Sequence, residues 1–216
     1  MSAPKAIISD FGGVLTTPLG NAFAAWSQES GVPLEDLGKA LAASLERHGE
    51  HPLFVLERGE LTEPEFIARL EQELGDHSLD GMGEAFIAGL ERNHEMIDYV
   101  AELRGRGLRA ALLTNNVREW EPRWRAMLPE IDEIFEVVVD SAFVGMRKPE
   151  LEIYHLTVER LGDGLAAADC VFVDDIAVNC DAARDLGMTA VLFETTEQAR
   201  SEIERALAVD GPARPS

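Results

Sequence analysis

Four stretches carry residue types suited to chemistry on a phosphate ester. The first is Lys5 to Thr16, KAIISDFGGVLT, in which a short apolar run (Ala6, Ile7, Ile8) ends at Asp10 and a glycine pair follows. The second is LLTNN, with Thr114 and Asn115. The third is GMRKPE, with Lys148 ahead of a proline, and the fourth is VFVDD, ending in Asp174 and Asp175. An aspartate can attack phosphorus in line and form a covalent intermediate. Phosphoryl transfer then leaves the protein mainly positioning and charge neutralisation. A carboxylate does not approach a phosphate dianion unaided, which calls for Mg²⁺, an ion that takes oxygen ligands and keeps several waters. Asp10, the backbone carbonyl two residues on at Gly12, and a carboxylate from Asp174 or Asp175 would suffice to hold it. Thr114, Asn115 and Lys148 would take the remaining phosphate oxygens and offset developing charge.

Each stretch also has a plainer reading. Asp10 could simply start a turn after a strand, and Lys148 could be a solvated surface lysine. Asp174-Asp175 could cap a helix N-terminus, with one residue capping while the other binds metal. Several independent strand ends bearing such groups are nonetheless more than a scatter of turn residues.

The elements that must position these groups follow from periodicity. Ala6 to Ile8 reads as a buried strand whose tip carries Asp10, and Gly12 and Gly13 let the backbone turn sharply beside a ligand. Helical spacing is expected over 21–30 and 33–45, then from a Thr62/Glu65 capping box through Leu74, then over 79–92. Further helices are expected at 95–106, 118–128, 149–161, 179–186 and 197–207, and strands at 108–113, 136–139, 170–173 and 189–193. Trp120 and Trp124, four apart, are expected to pack in the core. Strands alternating with helices imply an α/β fold with a Rossmann-like, doubly wound parallel sheet. Ligands in such sheets sit outside the carboxyl ends of the strands. Residues 18–92 read as a small helical domain inserted after the first strand, with the core at 1–17 and 93–210. The Pro- and Gly-rich stretch 211–216 is expected to be disordered.

Composition narrows the partners. With 19 basic and 40 acidic residues the chain carries a formal charge of -21. That argues against nucleic acid or an anionic membrane, but not against a small phosphate ester, because a lysine and a metal ion reverse the sign locally. Cys170 and Cys180 make neither a disulfide framework nor a zinc pattern. No signal peptide is visible, and no run approaches the roughly 18 apolar residues of a membrane span. A cytoplasmic protein is expected.

The motifs DFGGVLT, LLTNN, GMRKPELEIY and VFVDDIAVNCDAARDLGM resemble, in order, the four motifs of the haloacid dehalogenase superfamily. The third and fourth are most similar to the N-terminal phosphatase domain of soluble epoxide hydrolases and its stand-alone bacterial relatives. The resemblance implies a core with a helical cap between the first two motifs and a small phosphate ester as substrate. It makes Asp10 the nucleophile, and Asp10, the residue-12 carbonyl and Asp175 ligands of Mg²⁺, with Asp174 second-shell or an alternative ligand. Thr114 and Asn115 become phosphate binders, and Lys148 stabilises nucleophile and phosphate. No epoxide hydrolase domain follows, so no epoxide chemistry is expected. The departure is Gly12, where family phosphatases carry an Asp that protonates the leaving group and activates water. Thr16, Thr17, His48, His51 and His94 are candidate substitutes. A 2-haloacid dehalogenase, which also lacks that Asp, and a non-enzymatic binding protein are the alternatives.

Overall fold

A computed structural model describes residues 3–75 and 77–208, so the expectation for 211–216 lies outside the described residues. Five strands form one parallel sheet: β1 (Ala6–Ser9), β2 (Arg109–Thr114), β3 (Val137–Asp140), β4 (Cys170–Asp174) and β5 (Thr189–Leu192). Their spatial order is β3-β2-β1-β4-β5. The chain therefore builds outward from β1 on one side, then returns to build outward on the other. The crevice where that direction reverses lies between β1 and β4, the position where doubly wound sheets bind ligands. In register Ser9 pairs with Leu112 and with Val173, so Asp10 and Asp174 leave neighbouring strands at one level.

Near-continuous apolar strands are what a sheet covered on both faces requires. Ile7, Ala110, Leu112, Val171 and Val173 point to one face. Ala6, Ile8, Leu113, Cys170 and Phe172 point to the other. Helices α6 (His94–Gly105), α7 (Glu121–Met127), α8 (Ile131–Ile134) and α12 (Thr196–Leu207) supply side chains to the first face; α10 (Leu151–Leu161) and α11 (Ala177–Asp185) cover the second. Helix α9 (Ser141–Val144) directly follows β3.

Between β1 and α6 the described chain is helical: α1 (Leu19–Ser30), α2 (Leu34–His48), α3 (Pro52–Glu57), α4 (Glu63–Leu74) and α5 (Met82–Ala88). These helices share an apolar cluster, including Trp26, Leu37, Leu56, Phe66, Leu70 and Leu79, that Val117 joins from beyond β2, while Ala22, Phe86 and Ile87 pack with the sheet. Each fully buried Leu or Phe contributes about 1.5–3 kcal/mol. Thr62 and Glu65 form the expected capping box at the start of α4. The insert leaves and rejoins the core at one place: Thr17 N donates to Glu91 O at 2.8 Å and Asn93 N donates to Leu15 O at 2.9 Å.

Several boundaries differ from expectation. The helix expected over 79–92 is only Met82–Ala88, because Gly81 enters it left-handed (φ 73°) and residues 91–92 extend to pair with 16–17. The helix expected over 118–128 is a 3-10 turn, Arg118–Trp120, followed by α7, with Pro122 in the first turn of α7. Trp124 is fully buried as expected; Trp120, half-buried, packs against the core beside Phe86, lines a cavity and donates its indole N–H to Glu63 at 2.8 Å. Helix α3 has no counterpart in the sequence reading.

Asp140 ends β3 and accepts the Ala142 N–H at 3.0 Å, while its other oxygen is buried without a hydrogen bond among the described residues. Burial pushes this carboxyl up to about 7. The folded chain thus holds a proton that the unfolded chain, with carboxylates near 3.9, has released. Stability from this group is present at low pH and is lost as pH rises from about 4 through about 7. Asp140→Asn keeps the capping oxygen without the charge. Its melting temperature should exceed the native value at pH 8 and match it at pH 4. A gain of about 1 kcal/mol corresponds to about 2–4 °C in a chain of this length, readable by thermal denaturation at the two pH values.

Candidate active site

The first side chain of the site is fixed by the sheet. Asp10 N donates to Val173 O at 2.9 Å, stitching the tip of β1 to β4. The Asp10 carboxylate accepts the Phe11 N–H at 2.7 Å and the Lys148 ammonium at 2.8 Å, both on Oδ1. Oδ2 makes no hydrogen bond among the described residues. Lys148 is 1% exposed and bridges to Asp174 Oδ2 at 2.6 Å. Its position is set by Asn115, whose side chain accepts the Lys148 N–H at 2.8 Å and donates to the Lys148 carbonyl at 3.0 Å. Two loops far apart in sequence are thereby locked together.

Both ends of the Asn115 side-chain amide hold the Lys148 backbone, so its part in binding phosphate falls to its backbone N–H. Asp174 is similarly committed. It accepts from Lys148, from Ile176 N at 2.8 Å and from Asn179 Nδ2 at 3.0 Å, so it caps the turn into α11 and pins the ammonium. Asp175 is the freer of the pair: its Oδ1 is buried with no hydrogen bond among the described residues. Thr114, at the tip of β2, lines the cavity above Gly12.

Asp10, Asp174 and Asp175 offer carboxylate oxygens within 4.8 Å of one another. Three carboxylates facing one ammonium leave two negative charges. Burial pushes the Asp10 carboxyl up to about 7, with Lys148 opposing the rise and Asp174 adding to it. Burial and then Asp174 also raise Asp175. Burial works against the Lys148 ammonium, but Asp10 and Asp174 outweigh it and hold its pKa above the usual lysine value. An orphaned buried oxygen, an all-oxygen donor set and surplus negative charge fit a hard divalent cation. Gly13 makes room here. Its φ is 78°, and a Cβ at that position would sit 2.1 Å from Asp175 Oδ2.

Above these strand ends lies a cavity of about 120 Å³. Phe11, Leu19, Phe23, Leu53, Phe86 and Trp120 make it apolar, while Gly12, Thr114 and Asn115 open it to the site. A larger groove, about 550 Å³ between α1 and α5, touches none of the strand ends. The candidate proton donors do not line this cavity; Thr16 and Thr17 line a separate groove with Gly13 and Asp175. Thr16 is buried, accepting the Gly13 N–H at 3.1 Å and donating to Thr17 O at 3.0 Å. Thr17 Oγ1 accepts from Glu91 N at 3.1 Å. His48 and His94 are exposed, and His51 stacks on Phe54 outside the cavity. The sequence reading did not single out Glu57, which lines the cavity from α3.

A doubly wound sheet that delivers an aspartate, a buried lysine and an acidic pair to its reversal point defines a class of hydrolase. Residues 4–187 match the model described as haloacid dehalogenase-like hydrolase, and the chain belongs to that family. It is similar to Acyl-CoA dehydrogenase family member 10 of Mus musculus, 29% identical over 94% of this chain but only 19% of that protein. The chain therefore spans about a fifth of that relative's length. Phosphatase MT3486 of Mycobacterium tuberculosis is 30% identical, over 82% of this chain and 81% of its own. A HAD family enzyme of Bacteroides thetaiotaomicron, solved in complex with magnesium and inorganic phosphate, shares the fold with a TM-score of 0.66 and 19% identity, covering 89% of this chain and 96% of its own. No helix among the described residues is long and apolar enough to cross a membrane.

Proposed function

We propose that this chain is a magnesium-dependent phosphatase that hydrolyses a small phosphate ester with an apolar leaving group. The observation that carries the reading is Asp10, held by Lys148 and the Phe11 N–H beside two further carboxylates, with its chain neighbours Phe11 and Gly12 lining an apolar cavity. Asp10 attacks phosphorus in line, the bond to the leaving oxygen breaks, and an aspartyl-phosphate forms. Water then attacks phosphorus, the Asp10–phosphorus bond breaks, and the carboxylate returns. Asp10, the Gly12 carbonyl and Asp175 would hold Mg²⁺, which supplies the charge neutralisation that lets carboxylate and phosphate meet. Lys148 fixes Asp10 and offsets charge on the phosphoryl group, while Thr114 offers its hydroxyl to a phosphate oxygen. Asn115 and Asp174 hold Lys148 in place. Residues 18–92 act as a cap over a core of 1–17 and 93–210, and the cap side of the cavity reads the leaving group. The phosphatase activity named for the mycobacterial relative and the magnesium and phosphate of the Bacteroides structure support this reading.

The test is phosphate release from a series of straight-chain alkyl phosphates, with magnesium and with chelator. Each buried CH₂ is worth about 0.8 kcal/mol, so kcat/KM should rise close to fourfold per carbon until the cavity is filled. Chelator should stop release. No release from any ester with magnesium present would refute the reading, and a flat series would refute the apolar leaving group.

A further inference from the structure

The cavity that Phe11, Gly12 and Thr114 line beside the Asp10 strand tip needs a proton donor, and residue 12 does not supply one. A Cβ on Gly12 would sit 2.8 Å from Leu19 Cδ2, so in this packing the Leu19 tip occupies the space beside residue 12 and would have to shift for a side chain there. Among the described residues lining the cavity, only Glu57 is ionisable.

Glu57 is the last residue of α3, and that short helix is clamped to the core. Arg147, adjacent to Lys148, donates from Nε to Glu57 Oε2 at 2.6 Å, and its guanidinium lies 3.9 Å over the Phe54 ring. Arg58 reaches Glu150 at 3.3 Å. Gly59 follows with φ 70°, against the Ala142 carbonyl, where a Cβ would approach to 2.2 Å. One oxygen of Glu57 is therefore fixed by an arginine, while Oε1 makes no hydrogen bond among the described residues and the residue lines the cavity. A surface ion pair would not be built this way.

We propose that Glu57 is the general acid and base of this site. Resting on the phosphatase reading above, the step balances as follows. As Asp10 attacks and the phosphorus–oxygen ester bond breaks, the Glu57 carboxyl gives its proton to the leaving oxygen. The Glu57 carboxylate then takes a proton from the water that attacks phosphorus, and Asp10 leaves as a carboxylate. Glu57 ends protonated, as it began. Burial holds its carboxyl above the usual range although Arg147, Lys148 and Arg58 all oppose the rise, which favours the proton-bearing form the first step uses.

A purely structural strut and a proton donor differ in their response to the leaving group. An alkoxide needs a proton as it departs; para-nitrophenolate does not. Glu57→Gln should lower kcat on an alkyl phosphate by about 10²- to 10⁴-fold. On para-nitrophenyl phosphate it should release one equivalent of nitrophenolate at the native rate and then stall, as aspartyl-phosphate accumulates. Equal losses on both esters, or no loss on either, would overturn the proposal. The native protein gives an independent readout that needs no variant. Its kcat/KM on the alkyl ester should fall on the alkaline side at a pH where the nitrophenyl ester shows no fall, and coincident profiles would also overturn it. If native protein turns over, Asp10→Asn does not and Glu57→Gln behaves as native, this inference alone fails. If native protein turns over no ester, both readings fail.

Discussion

Asp10→Asn should abolish phosphate release while leaving the chain folded. An amide has no charged oxygen to attack phosphorus, so the loss should be on the order of 10⁴-fold or more, the scale seen when a nucleophile is removed from an otherwise intact site. The substitution is isosteric, and Asp174 still pairs with Lys148 at 2.6 Å. Burial makes Asp10 hard to ionise in the folded chain, its pKa standing at about 7. Neutral pH therefore charges it at a cost that the amide does not carry, and without metal the variant should melt no lower than the native protein. Colorimetric phosphate assay and thermal denaturation check the two halves. Turnover persisting in a verified Asp10→Asn sample would remove Asp10 from the chemistry. The same variant also separates the dehalogenase alternative. That reading uses Asp10 on carbon without metal, so native protein would release halide from a 2-haloacid in chelator, and Asp10→Asn would not.

How much of this was readable in advance depended on whether the signal was local. The strand tip at Asp10 was legible because four buried residues run into a glycine pair, a pattern with few other uses. The parallel sheet was legible because apolar strands alternate with helices along the chain. The residues of the strand end alone give Asp174 and Asp175 as a pair, and only the family resemblance separates Asp175 as a ligand from Asp174. Their division of labour depends on Asn179, Ile176 and Gly13, contacts that only the folded chain makes. Asn115 has the composition of a phosphate binder; its partner, the Lys148 backbone, is 33 residues away. Helix α3 was missed because six residues led by a proline give too short a window for periodicity. Glu57 was missed for a different reason. One glutamate among 40 acidic residues carries no signal, and the Arg147 that orients it is 90 residues on.

The second large effect is on Lys148, whose removal should cost both stability and turnover. Lys148→Met keeps most of the side-chain volume and the contact with Phe172, over whose ring the ammonium lies 5.8 Å from the centroid. It leaves Asp10 and Asp174 facing each other with no cation between them. Breaking a buried pair by deleting one partner typically costs about 3–5 kcal/mol, because the charge left behind is neither hydrated nor paired. The sign of the pH dependence follows. Without Lys148, which opposes the rise, the Asp10 carboxyl should be raised further, so the folded variant binds a proton that the unfolded chain has released. Its stability should be nearest native at low pH and should fall behind as pH rises through neutrality. Urea unfolding without metal at pH 5 and pH 8 should show the larger deficit at pH 8. Turnover at saturating magnesium should drop by about 10²- to 10³-fold, the usual consequence of deleting one donor aimed at developing charge. A deficit of equal size at both pH values would mean that Lys148 is held by packing rather than by its two carboxylates. The polar centre would then be a by-product of the fold, and Asp10 would have to be oriented by the Phe11 N–H alone.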